Sequence, residues 1–205
     1  MDLSWINENS GALNILFSCI AIVVAIFVPI AISYNQKKIS LYEERLKILM
    51  ELDFIRDYCD SLLEYNTYKQ YENDPIKLRP YLFSVWVICL RTRYPDAWKI
   101  TYESIPAEGE ICFKGSESDI QKICEMHLYN QYSNLRRCKY VFNEEISSDI
   151  INLSKAYYEI ITDINKGIFY SWERNQIIDI NKLLQKNRKF QESNNLKKIN
   201  KMIKL

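Results

Sequence analysis

His127 is the only histidine in the chain and stands one helical turn beyond Cys124. A Cys-x-x-His pair supplies two zinc ligands, and a structural zinc site takes four. Cys138 and Cys112 would have to complete such a site through folding alone. The same thiol and imidazole within hydrogen-bonding reach would make an activated nucleophile, the chemistry of a membrane-bound hydrolase. Against both stands the ordinary use of cysteine as a small core residue. Cys124, His127 and Cys138 are therefore carried as weak metal or nucleophile candidates. No residue is assigned a catalytic role, and no cofactor is expected.

Charged side chains supply the other candidates. Asp53, Asp57, Asp60 and Glu64 step by four, three and four, which lines them along one stripe of a helix. That stripe suits docking to a basic partner or holding a divalent cation, which Arg56 nearby disfavours, or else simple solvation. Arg136, Arg137 and Lys139 cluster in sequence, and Arg79, Arg91 and Arg93 would cluster only after folding. Neither group comes with a glycine-rich phosphate loop or a dinucleotide fingerprint. With four glycines in the chain, none can be built. Past Gln185 the sequence turns basic, with Lys197, Lys198, Lys201 and Lys204 beside Leu196, Ile199 and Ile203. That pattern fits an amphipathic segment lying on an anionic membrane surface, or a frayed helix end.

The elements that would position these residues are ordered by one uncharged stretch. From Asn9 to Gln36 there is no Asp, Glu, Lys or Arg, and the middle is filled by Leu, Ile, Val and Phe. A bilayer core needs roughly 20 such residues in a helix. The reading is a transmembrane helix over 12–34 after a short outer tail, 1–11. A cleaved signal peptide fits less well: the tail carries Asp2 and Glu8 where positive charge is required, and the apolar run is too long. Lys37 and Lys38 follow directly, so the positive-inside rule places the tail outside and the rest in the cytoplasm. Six cysteines without close pairing agree with a reducing compartment.

Beyond the anchor, few glycines and prolines and abundant Ile, Leu, Lys and Glu predict helices. A stalk helix spans 35–71, with an apolar seam of Leu41, Ile48, Leu52, Ile55, Cys59 and Leu62, widened by Leu46, Leu49 and Met50. The domain then covers 72–184. Asn73-Asp74-Pro75 breaks the chain, and Pro80 opens a buried central helix over Tyr81–Leu90. Glu110–Lys114 suits a short strand or an irregular loop. Ser118-Asp-Ile-Gln121 resembles a capping box opening a third helix with Ile120, Cys124, Leu128, Leu135, Cys138 and Phe142 inward. A fourth runs from about Ser147 to a stop at Gly167. The last begins near Phe169, with Trp172, Ile177, Ile180, Leu183 and Leu184 inward, and a basic polar tail covers 185–205. The fold class is all-α: one transmembrane helix followed by a cytoplasmic antiparallel helical bundle.

Asn7-Glu-Asn-Ser-Gly11, the apolar run, and Lys37-Lys-Ile-Ser-Leu-Tyr-Glu-Glu-Arg45 resemble a loose group of uncharacterised bacterial single-pass membrane proteins with a helical cytoplasmic domain. Some of that group sit among phage-defence genes. The resemblance covers the anchor region and implies no catalytic residue. It implies an inner-membrane location and, as one alternative, a membrane-disrupting effector of abortive infection. The leading expectation is a non-enzymatic interaction module that binds the bilayer and a protein partner or a second copy of itself. Net charge of +1 gives nucleic acid no field to follow.

Overall fold

The structure is a computed structural model that describes residues 10–65, 67–94, 117–170 and 178–203. Among these there are six α-helices and no strand. The chain divides into two units, Met1–Glu44 and Arg45–Leu205. Helix α1, Ser10–Tyr65, contributes to both and runs through Pro29 without interruption.

In the first unit the side chains from Ile15 to Ile32 are exposed. The large apolar ones are between 47% and 68% exposed, Val28 the least and Ile15 the most. α1 is the one helix among the described residues long and apolar enough to cross a membrane.

The second unit has its own core. On α1, Ile48, Leu52, Ile55, Cys59 and Leu62 are buried as the seam predicts, but Leu41, Leu46 and Met50 face outward. Their place is taken by Glu51, Phe54 and Tyr58, a second buried row at three- and four-residue steps. α1 ends at Tyr65, and a separate 3-10 turn follows at Thr67–Tyr71, so the stalk is shorter than expected. α2 is Pro75–Arg93 and begins a full turn before Pro80. The Asp74 side chain accepts from the Lys77 amide, and Pro75 occupies the first turn, where its missing N–H costs nothing.

α3, Glu117–Arg136, already includes Ser118 inside its first turn, so the serine does not cap it. A 3-10 turn at Arg137–Tyr140 separates α3 from α4, Glu144–Phe169. Asn143 rather than Ser147 starts α4, accepting from the Ile146 amide at 3.0 Å. The Ser147 hydroxyl instead donates to the Cys138 carbonyl at 3.1 Å. α4 is the central helix, touching α2, α3, the 3-10 turn at Arg137–Tyr140 and both helices after it. Over Tyr81–Leu90, α2 buries Leu82, Phe83, Val85, Trp86, Val87 and Leu90 as expected, while Ile88 faces outward.

α5, Ile180–Glu192, and α6, Asn194–Ile203, occupy much of the expected polar tail. Phe190 and Ile199 are buried, and Leu196 and Ile203 pack on the same core. Their apolar atoms are used by the domain. Trp172, Ile177 and the strand expected at 110–114 lie outside the described residues.

Gly167 does not stop α4; it sits inside it, two residues before Phe169. The Arg79 side chain accounts for the glycine. A Cβ there would stand 2.6 Å from Arg79 Cδ and 2.7 Å from Cζ. Arg79 is only 2% exposed, and its Nη1 donates to the Asp163 carbonyl at 2.5 Å, toward the negative end of the α4 dipole. Alanine usually gains about 1 kcal/mol over glycine inside a helix. Here it must move a buried guanidinium whose hydrogen bond contributes about 1.5–3 kcal/mol. Gly167→Ala is expected to lose about 1–2 kcal/mol in urea unfolding. A gain would mean that Arg79 relocates freely.

Candidate functional site

One buried carboxylate in the domain is a group the sequence reading passed over. Glu51 lies on the buried side of α1, and two neighbouring helices supply its donors. Asn134 Nδ2 of α3 donates to Oε1 at 3.0 Å. The Tyr94 hydroxyl, at the end of α2, donates to Oε2 at 3.3 Å. Burial still raises the Glu51 pKa above the ordinary 4.5, because these hydrogen bonds and the Arg93 charge only partly offset desolvation. Tyr94 is pushed up to about 12, by burial first and by the Glu51 charge next. Deeper in, the Trp86 indole N–H donates to Tyr157 Oη at 2.8 Å, and the Tyr157 hydroxyl donates to Gln131 Oε1 at 2.8 Å. One polar chain therefore ties α2, α4 and α3 together across the core, with Glu51 tying α1 to its edge. A signal existed: position 51 is three beyond Ile48 and four before Ile55, squarely within the apolar face.

A raised carboxyl pKa has a definite sign. The folded domain binds the Glu51 proton more tightly than the unfolded chain does. Its contribution is complete below the ordinary carboxyl pKa and is lost as pH rises through the raised folded value. Glu51→Gln keeps the shape, accepting from Asn134 and donating to Tyr94 Oη. The stability difference between wild type and variant is expected to move in the variant's favour as pH rises above about 4.5, through the raised folded value. Urea midpoints followed by tryptophan fluorescence measure it; a pH-independent difference would contradict the assignment.

The cysteine and histidine candidates occupy separate surroundings. Cys124 is fully buried on α3, and desolvation, then the Glu125 charge, pushes its thiol up to about 12. Cys138 is buried at the 3-10 turn, its Sγ 3.6 Å from the Ser147 carbonyl, and burial raises it too. At neutral pH both remain thiols, which are poor nucleophiles and poor ligands. His127 stacks on Tyr94 with ring centroids 5.2 Å apart, and burial lowers its pKa. Among the described residues no three His, Cys, Asp or Glu side chains converge on a point where a metal ion would fit. Cys112 lies outside them.

On the acidic stripe, Arg56 reaches Asp53 at 2.9 Å and Asp57 at 3.4 Å, while Asp60 and Glu64 project into solvent. The first basic cluster is dispersed over aromatic faces: Arg136 lies over Tyr132 and Lys139 over Tyr140. The second never forms as a set, because Arg79 is buried at one end of α2 and Arg91 and Arg93 stand at the other. Lys37 and Lys38 are exposed on α1, and Lys197, Lys198 and Lys201 are exposed on α6, with Lys198 paired to Glu145 at 3.1 Å. Lys204 lies outside the described residues. Since Ile199 points into the domain, any membrane contact of α6 would use its cations and not the apolar face expected to insert.

No protein-family model matches the chain, and no curated protein or solved structure is found to be similar to it.

Proposed function

We propose that this protein is a membrane-tethered helical interaction module, held by residues 12–34 in a bacterial inner membrane. Its tail faces outward, and its domain, an antiparallel helical bundle, lies at the cytoplasmic face. One observation carries the reading. From Ile15 to Ile32 the α1 surface is a continuous apolar cylinder, every large side chain about half exposed or more. A water-soluble monomer rarely leaves an apolar patch beyond a few hundred Å² uncovered. Lipid is the solvent in which such a helix is at rest, because its backbone bonds are all internal. Lys37 and Lys38 set the orientation.

The interaction half of the reading is supported by the exposed carboxylates of Asp60 and Glu64, which suit a basic protein surface or a second copy of the chain. The chemistry needed for a Cys–His hydrolase is poorly served by thiols held protonated in the core. The full-length chain is expected to float with membrane vesicles after an alkaline wash. A carboxy-terminal fusion to a reporter active only in the cytoplasm should be active. A reporter reading in the periplasm, or an intact chain recovered without detergent in the soluble fraction, would overturn the proposal.

A further inference from the structure

Just past the apolar run, α1 keeps a face that no other part of the first unit covers. Ile39 is 58% exposed, although it follows the charged Lys37 and Lys38 and so stands on the aqueous side. Lys38 and Glu43 are exposed as well, and neither enters an ion pair of this chain among the described residues. Their separation is too long for the three- and four-residue pairing along one helix. It suits two helices. With Ile39 and Tyr42 at the a and d positions of a heptad, Lys38 is a g residue. Glu43 is then the e residue that such a g faces across a parallel pair.

The same register runs back into the apolar run. Counting from Tyr42 by three and four in turn passes Asn35 and arrives at Ala25, Ala21, Ser18 and Asn14. All four are exposed. The opposite side of the helix carries Leu16, Ile20, Val23, Phe27 and Ile30. Lipid makes no such distinction between faces, since large apolar residues are at ease on every side. A neighbouring helix does: in a bilayer, association relies on small residues that let backbones approach and on polar groups that bond across. Ala21 and Ala25 supply the approach. The Ser18 hydroxyl donates to the Asn14 carbonyl of its own helix at 2.7 Å, and its oxygen can still accept. The Asn14 side chain has no hydrogen bond among the described residues, and its counterpart across a two-fold axis would supply one.

We propose that this face of α1, from Asn14 to Glu43, is a parallel homodimer interface whose occupant is a second copy of the chain. Lys38 of each copy pairs with Glu43 of the other, and a repeat of 3.5 residues makes the two helices cross left-handed at about 20°. The inference rests on the membrane reading, because insertion in one orientation is what makes all copies parallel.

Full-length protein with Cys19→Ala, in floated membrane vesicles, provides the test. Single cysteines are introduced, oxidised with copper phenanthroline and read by non-reducing electrophoresis. Ala25→Cys and Asn35→Cys should give a dimer band, while Val23→Cys and Tyr34→Cys, on other faces, should stay monomeric. Ala25→Leu should reduce the Asn35→Cys crosslink several-fold, and Val23→Leu should leave it unchanged. Lys38→Glu and Glu43→Lys should each weaken the crosslink, and the two together should restore it. Restoration requires the residues to face each other in separate copies, which contact with lipid headgroups would not produce. Floated chains that crosslink at no position, that crosslink equally on all faces, or that the charge exchange fails to restore would overturn the dimer and leave the anchor standing. A chain absent from the floated vesicles would overturn both.

Discussion

Val23→Arg combined with Ile26→Arg is expected to shift the chain out of the membrane fraction. Both positions lie near the middle of the apolar stretch and both are about half exposed on α1. Thirteen Leu, Ile, Val and Phe residues in the stretch favour insertion by roughly 0.3–0.6 kcal/mol each, about −4 to −8 kcal/mol together. Each arginine at a helix centre costs about 2.5–3.5 kcal/mol and also removes one favourable side chain. Two of them cost about 5–7 kcal/mol, enough to bring the sum near or above zero. Val23→Arg alone leaves the sum negative over most of that range, so the single variant should still insert. Flotation on a density gradient is the measurement, because aggregates sink while vesicles rise. A double variant that floats as fully as wild type would mean that something other than this stretch holds the chain to lipid.

The long apolar helix was legible in the sequence because it depends on composition over a long window. No tertiary contact is needed to recognise an uncharged run of this length. The apolar seam of the second half of α1 was legible for a related reason: Ile48, Leu52, Ile55, Cys59 and Leu62 repeat at helical spacing. What escaped is what depends on partners distant in sequence. Leu46 and Met50 are as apolar as any core residue, but the packing helices approach the side of α1 that bears Phe54 and Tyr58. Glu51 looks like one more surface acid until Asn134 and Tyr94 are folded against it. Gly167 looks like a helix stop until Arg79, distant along the chain, is found filling the space a Cβ would take. The basic tail misled because its charges dominate local composition, while Phe190 and Ile199, spaced nine apart, are the residues that fix it to the core.

Trp86→Ala is expected to unfold most of the second unit at physiological temperature while leaving the proposed anchor in the membrane. Trp86 is fully buried on α2 and packs near Phe83, with ring centroids 6.1 Å apart. Truncating a buried tryptophan to alanine costs about 3–5 kcal/mol in transfer and cavity terms. The indole N–H also donates to Tyr157 Oη, so its loss removes a donor from a hydroxyl with no access to water. That hydroxyl still donates to Gln131 Oε1, so the one acceptor position left unmet adds about 1 kcal/mol. Domains of this size hold about 5–15 kcal/mol in all, so the sum takes most of a typical reserve. Tyr157→Phe isolates the polar part: it keeps the ring stacked edge-on against Phe54 and strands both the Trp86 donor and the Gln131 acceptor. Its loss should be smaller, about 1–3 kcal/mol. The double variant should lose less than the two singles summed, because the hydrogen bond is removed only once. Limited proteolysis of membrane vesicles reads the result directly. Trp86→Ala should be cut throughout residues 45–203 under conditions where wild type is resistant, with the anchor fragment retained in the pellet. A Trp86→Ala domain as resistant as wild type would mean that the core organised around α4 does not depend on the polar chain running through it.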